Sequence, residues 1–134
     1  MSGIERIMLV DDNEADNVYT EIILRSAGYE GGLWVHESGQ AALAQLKQTT
    51  FLPPCLILLD IDMPGMDGFE FAAAAAPLLS RHPTLVLVML TSSSSAEDRQ
   101  RAATMTEISS LLAKPLTVQA ARALLSGGAS RGVH

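Results

Sequence analysis

Cysteine is nearly absent from this chain of 134 residues, and the lone Cys55 leaves no intramolecular disulfide. No Cys/His cluster has zinc-ligand spacing. Cys55 adjoins an apolar run and reads as a small buried filler rather than a reactive thiol. No apolar run approaches the roughly 18 residues of a membrane-spanning helix. The longest, Leu56–Leu59 and Leu85–Leu90, have the length of buried strands. Basic runs are missing as well. The net charge of −6 disfavours nucleic acid, which wants a basic face, and gives no reason to expect an acidic membrane surface. The start, Met1 to Asp12, lacks the charged head, long apolar stretch and cleavage site of an export signal, so the cytoplasm is the expected compartment.

Apolar residues, by contrast, make up 48% of the chain, enough for one full core. Strand-like runs alternate with helix-like segments, which predicts a parallel α/β sheet. The strands are expected at Ile4–Val10, Leu33–His36, Cys55–Asp60, Leu85–Leu90 and Ser109–Ala113. Between them lie helices over about 15–27, with Val18, Ile22 and Ile23 at helical spacing, from Ser38 or Gly39 to Gln48, and after Asp67–Gly68. Pro77 is expected to end or kink that third helix. A short fourth helix, capped by Ser94 or Ser95 with Glu97 or Asp98 closing a capping box, should run to about Met105. A fifth covers 117–125. Residues 1–125 are thus expected to form one domain. The Gly/Ser-rich tail, 126–134, has nothing to bury and is expected to be disordered. The natural arrangement is a doubly wound five-stranded parallel sheet, order 2-1-3-4-5, with helices on both faces.

In such sheets ligands bind outside the carboxyl ends of the strands. Asp11 and Asp12, Asp60, Thr91 and Lys114 each follow an apolar strand, so all five should gather at one edge. Each alone has an ordinary reading: a helix cap for the Asp11–Asp12 pair or Thr91, a loop acid for Asp60, a surface ammonium for Lys114. Together they demand one explanation. Three neighbouring carboxylates repel, and a divalent cation with a taste for hard oxygen ligands removes that penalty. Mg²⁺ fits, with Mn²⁺ as a substitute. A carboxylate can also act as a nucleophile toward phosphorus, with an ammonium and a hydroxyl to bind phosphoryl oxygens.

The segments IMLVDDNEADN, LILLDIDMPGMDGFEF, VMLTSS and LLAKPLT resemble bacterial response-regulator receiver domains over about residues 4–125. The wording is similar to stand-alone receivers of the phytochrome-associated kind, so no output domain is expected. The resemblance implies a phosphorylation switch of a two-component phosphorelay rather than an enzyme. It implies Asp60 as phosphoacceptor, Asp12 as a direct metal ligand, and Asp11 as the acid that holds metal-bound water. Asp62 matches the position whose main-chain carbonyl binds the metal. Thr91 matches the switch hydroxyl and Lys114 the phosphoryl-contacting lysine, whose bond to Pro115 is often cis in similar proteins. A histidine kinase or phosphotransfer domain would be the donor, docking beside the first helix. The face of the fourth helix, fifth strand and fifth helix would be the reader surface, able to dimerise.

Two departures stand out. Where many receivers have Tyr or Phe three residues before the lysine, this chain has Leu111. Asp62 and Ser93 flank the expected phosphoryl path and should tune its hydrolysis. Two other readings use the same residues. A haloacid-dehalogenase-type phosphatase also begins from an apolar strand and D-x-D, but there the acidic pair comes late in the chain. A receiver fold acting as a non-phosphorylated binding module is the other. His36 reads as a polar residue at a strand end, with no metal role.

Overall fold

The computed structural model describes residues 4–50, 52–92 and 95–128. Ser93, Ser94 and the tail from 129 onward lie outside these, as does Phe51. In chain order the elements are β1 (Arg6–Val10), α1 (Glu14–Ser26), β2 (Gly32–His36), α2 (Gly39–Gln48), β3 (Cys55–Asp60), α3 (Gly68–Arg81), β4 (Leu85–Thr91), α4 (Ala96–Ala103), β5 (Ile108–Ala113) and α5 (Val118–Ala123). The chain then makes a wider turn over Leu124–Gly128, with Gly127 at φ +86°. The expected elements are all present, and the five strands are parallel in the order β2-β1-β3-β4-β5.

The uniformly apolar strands divide their side chains between two cores. Met8, Val10, Ile57, Leu59, Leu87 and Met89 pack with Leu46 of α2 and Phe71, Ala75 and Leu79 of α3. Ile7, Leu9, Leu56, Leu58, Val88 and Leu90 pack with Leu24 of α1, Ala121 of α5 and Leu124. That is the two-residue period of a strand read on both faces. Each Val, Leu, Ile, Met or Phe among them contributes about 1.5–3 kcal/mol by leaving water.

Caps fix where the helices begin. Asn13, Ser38, Asp67, Ser95 and Thr117 each accept a hydrogen bond from the backbone N–H three residues on. Asp67 and Glu70 complete a reciprocal capping box. Neither Asp11, Asp12 nor Thr91 is a cap, so the ordinary readings of those residues fall away. Pro77 does not end α3, which continues to Arg81.

The first helix departs from its sequence pattern. Its buried residues are Asn17, Thr20 and Leu24. Val18 and Ile22, although spaced as a helical apolar pair, are 53% and 55% exposed. Asn17 takes the inner face because its side-chain amide donates to the buried Asp11 carbonyl at 2.9 Å. An unmatched carbonyl there would cost more than an exposed valine.

Candidate functional site

Strand register gathers the site. Val10 pairs with Leu59, so Asp11 follows β1 level with Asp60 at the end of β3. Asp60 pairs with Leu90, and Thr91 stands one step beyond. Lys114 needs a correction in register to arrive. Leu87 pairs with Ile108, but Val88 pairs with Ser110, so the buried Ser109 is an extra residue in β5. The shift sets Thr91 opposite Ala113, one residue before Lys114. The Lys114 N–H then donates to the Thr91 carbonyl at 2.8 Å, tying the two strand ends together.

The carboxylates of Asp11, Asp12 and Asp60 each bring an oxygen within 4.8 Å of the others. Asp11 and Asp60 are buried, and Asp12 is exposed. Lys114 Nζ reaches into the same space, 2.6 Å from Asp11 Oδ2 and 3.3 Å from Asp60 Oδ1. It also lies 3.0 Å from Asp16 Oδ2, in the first turn of α1. Asp11 is held on three sides: its other carboxylate oxygen accepts from the Asn13 N–H at 2.9 Å, and Asn17 holds its carbonyl. Thr91 is buried at the neighbouring strand end. Asp62 is exposed, and its backbone favours the ionised form of the Asp60 carboxylate.

The electrostatics follow from this crowding. Burial and then the Asp11 charge push the Asp60 carboxyl up to about 6, while Lys114 and the Asp62 backbone act against them. Burial alone would lower the Lys114 ammonium. Its hydrogen bonds to Asp11 and Asp16 and the charges of Asp60 and Asp11 outweigh that and hold it above its ordinary value. A set of hard oxygen donors with excess negative charge suits a divalent cation of the magnesium or manganese kind. The donors therefore fit such an ion, and they offer nothing soft.

The loop after Asp60 is built for close approach. The Gly68 N–H donates to the Ile61 carbonyl at 2.8 Å. A Cβ on Gly68 would lie 3.0 Å from Ile61 Cα and 3.1 Å from the Asp60 carbonyl oxygen. Gly65 turns the loop at φ +81°. Beside the site is a small cleft of about 240 Å³ lined by Asp16, Tyr19, Thr20, Ser92, Lys114 and Pro115 with Leu116. The Lys114–Pro115 peptide is cis.

Other expectations resolve simply. Cys55 is buried, and burial pushes its thiol up to about 12, which makes it inert. His36 ends β2 and hydrogen-bonds Gln45 of α2. Leu111 packs at the edge of the core and lines a wide cleft of about 1120 Å³ between α3 and α4. Ser93 falls outside the described residues. Among the described residues, no helix is long and apolar enough to cross a membrane. Asp16 and Asn17 escaped the sequence reading altogether. The only signal for them is their position, four and five residues after Asp12 on an amphipathic helix.

Residues 7–126 match the response regulator receiver domain family. A response regulator receiver protein from Dyadobacter fermentans superposes with a TM-score of 0.80 at 30% identity, covering 90% of this chain and 94% of that one. The Mn²⁺-bound form of response regulator Rcp1 gives a TM-score of 0.69 at 28% identity, over 92% of this chain and 90% of that one. The sensor protein GacS of Pseudomonas syringae is 31% identical over 118 residues, 87% of this chain and 12% of that protein. The chain spans 5–12% of the length of the curated sensor and hybrid kinases it matches. The acidic pair comes first along the chain and the family match covers nearly all of it, which removes the phosphatase reading. With its 2-1-3-4-5 sheet and its aspartate cluster at the carboxyl edge, this chain belongs to the response regulator receiver domains, phosphorylation-switch modules of two-component signalling.

Proposed function

We propose that Asp60 is the phosphoacceptor of this switch, and that a phosphohistidine on a histidine kinase or phosphotransfer domain is the donor. The observation that carries this is the placement of Lys114 Nζ 3.3 Å from Asp60, inside a cluster of three carboxylates. One Asp60 oxygen attacks phosphorus as the P–N bond of the donor breaks. The electron pair of that bond stays on the imidazole nitrogen, and an acyl phosphate remains on Asp60. The attacking carboxylate must be ionised, and an acid pushed up to about 6 is both ionised and more basic than usual near neutral pH.

Asp11, Asp12, Asp60 and the main-chain carbonyl of Asp62 would hold Mg²⁺ or Mn²⁺. Bound there, the ion neutralises charge on the phosphoryl oxygens. Lys114 pairs with one of those oxygens and the Thr91 hydroxyl donates to another. Asn17 and Asn13 keep Asp11 fixed throughout. Donor docking beside α1 is supported by Val18, Tyr19 and Ile22, large apolar side chains left exposed on that helix next to the site. Such donors act in the cytoplasm, which this reading takes as the compartment. The output surface is α4, β5 and α5, through which two copies could associate. Leu111 lies within it, an aliphatic side chain lining the α3–α4 cleft where many receivers have an aromatic ring.

The test is direct. With Mg²⁺ and acetyl phosphate, intact mass should show one acid-labile phosphoryl group per chain, and Asp60→Asn should lose it. Equal labelling of the variant would refute the assignment. It would favour the binding-module reading only if neither protein labels.

A further inference from the structure

An ammonium has three N–H donors. Lys114 faces three carboxylates, at 2.6 Å from Asp11, 3.0 Å from Asp16 and 3.3 Å from Asp60. Three carboxylates therefore already crowd the ammonium before any phosphoryl oxygen arrives, and one partner has to give way. The three are not equal. The side chains of Asp11 and Asp60 are 8% and 7% exposed, whereas that of Asp16 is 46% exposed. Releasing Asp11 would strand a buried charge, at a cost of several kcal/mol. Released Asp16 turns to water, which solvates it at a cost of about 0–1 kcal/mol. Asp16 is also the one of the three outside the Asp11–Asp12–Asp60 cluster.

We infer that Asp16 is a positioning residue that competes with the phosphoryl group for Lys114. The Asp16–Lys114 pair is closed in the unphosphorylated protein and opens when a phosphoryl oxygen takes that donor. The pair thus opposes phosphoryl binding. Its opening also frees the carboxylate on the first turn of α1 and alters the small cleft that Asp16 and Lys114 line together. The inference rests on Asp60 being the phosphoryl site. The helix cap does not depend on the Asp16 side chain, because Asn13 bonds the Asp16 backbone N–H.

Beryllofluoride in the presence of Mg²⁺ tests this as a stable phosphoryl mimic, titrated calorimetrically into the wild type, Asp16→Asn, Asp16→Glu and Asp60→Asn. Asp16→Asn should bind about threefold more tightly than wild type, the scale of an exposed ion pair. The gain should shrink in high salt, which screens that pair already. Asp16→Glu, which restores the charge, should bind like wild type. Unchanged or weaker binding by Asp16→Asn, a gain insensitive to salt, or an equal gain in Asp16→Glu would overturn the inference while leaving the phosphoacceptor reading intact. No binding by wild type, or undiminished binding by Asp60→Asn, would overturn both.

Discussion

Lys114 Nζ stands 3.3 Å from Asp60 Oδ1 while its shortest contact, 2.6 Å, goes to Asp11. It is the cation nearest two buried like charges, so it acts as their internal counterion. A divalent ion entering the cluster meets a site already partly neutralised. Lys114→Met should therefore bind Mg²⁺ more tightly, by about an order of magnitude, since one favourable charge interaction near a protein surface is worth a few kcal/mol before screening. The same variant should lose about 3 kcal/mol of stability without metal, because two buried carboxylates lose their partner. Millimolar Mg²⁺ should restore most of that. Calorimetric titration and thermal melts with and without Mg²⁺ measure both effects. Labelling by acetyl phosphate should fall despite the tighter metal.

The pH profile of stability carries the signature of Asp60. Its folded-state value is raised to about 6, above the unfolded value of about 3.9. Between those limits the native state binds the extra proton, so stability falls as pH rises through that window and is level above it. At about 1.4 kcal/mol per unit, the loss is about 2–3 kcal/mol by neutral pH. Asp60→Asn cannot ionise. In metal-free buffer at pH 7 it should be more stable than wild type by that amount, and the difference should vanish toward pH 4. Denaturant melts across this range decide it. A wild type whose stability rises from pH 4 to 6 relative to Asp60→Asn would contradict the crowded-carboxylate account.

Much of this site was legible because parallel strands of similar length put their last residues on one edge. Asp11, Asp60 and Thr91 follow from that alone. Lys114 reaches the edge through the extra Ser109 in β5, and nothing in Ile-Ser-Ser-Leu-Leu-Ala marks one serine as unpaired. The inner face of α1 was misleading for a different reason. Periodicity ranks residues by hydrophobicity, whereas Asn17 is buried because a specific carbonyl needs a donor. Asp16 was invisible because its role depends on an ammonium 98 residues away.

Gly68 tests how tightly the loop after Asp60 is packed. A methyl group there would press on the Ile61 Cα at 3.0 Å and the Asp60 carbonyl at 3.1 Å, both backbone, and on the more yielding Met89 Cε at 3.1 Å. Gly68 is the first residue of α3, where better helix propensity offers little compensation. Gly68→Ala should cost about 1–2 kcal/mol, the scale of modest overpacking. It should also slow labelling by acetyl phosphate, because the strain falls on the peptide units that hold Asp60. A urea midpoint and a labelling time course separate the two effects. Gly68→Ala with wild-type values in both would show that the loop has room to yield.

The exposed apolar residues of α1 give a prediction that separates docking from chemistry. Val18 and Ile22 are more than half exposed, so replacing both with serine should change stability by no more than about 0.5 kcal/mol per site. Neither residue lines the acidic cluster or the cleft beside Lys114. Labelling by acetyl phosphate, which is too small to use a docking surface, should therefore be unchanged. Transfer from a phosphohistidine protein should weaken at least tenfold in KM, because burying two aliphatic side chains at the centre of an interface contributes about 1–2 kcal/mol each. A saturating donor should recover much of the rate. The KM-against-kcat split is the decisive measurement: loss in kcat with both donors would move these residues into the chemistry, and no loss with either would move the docking surface off α1.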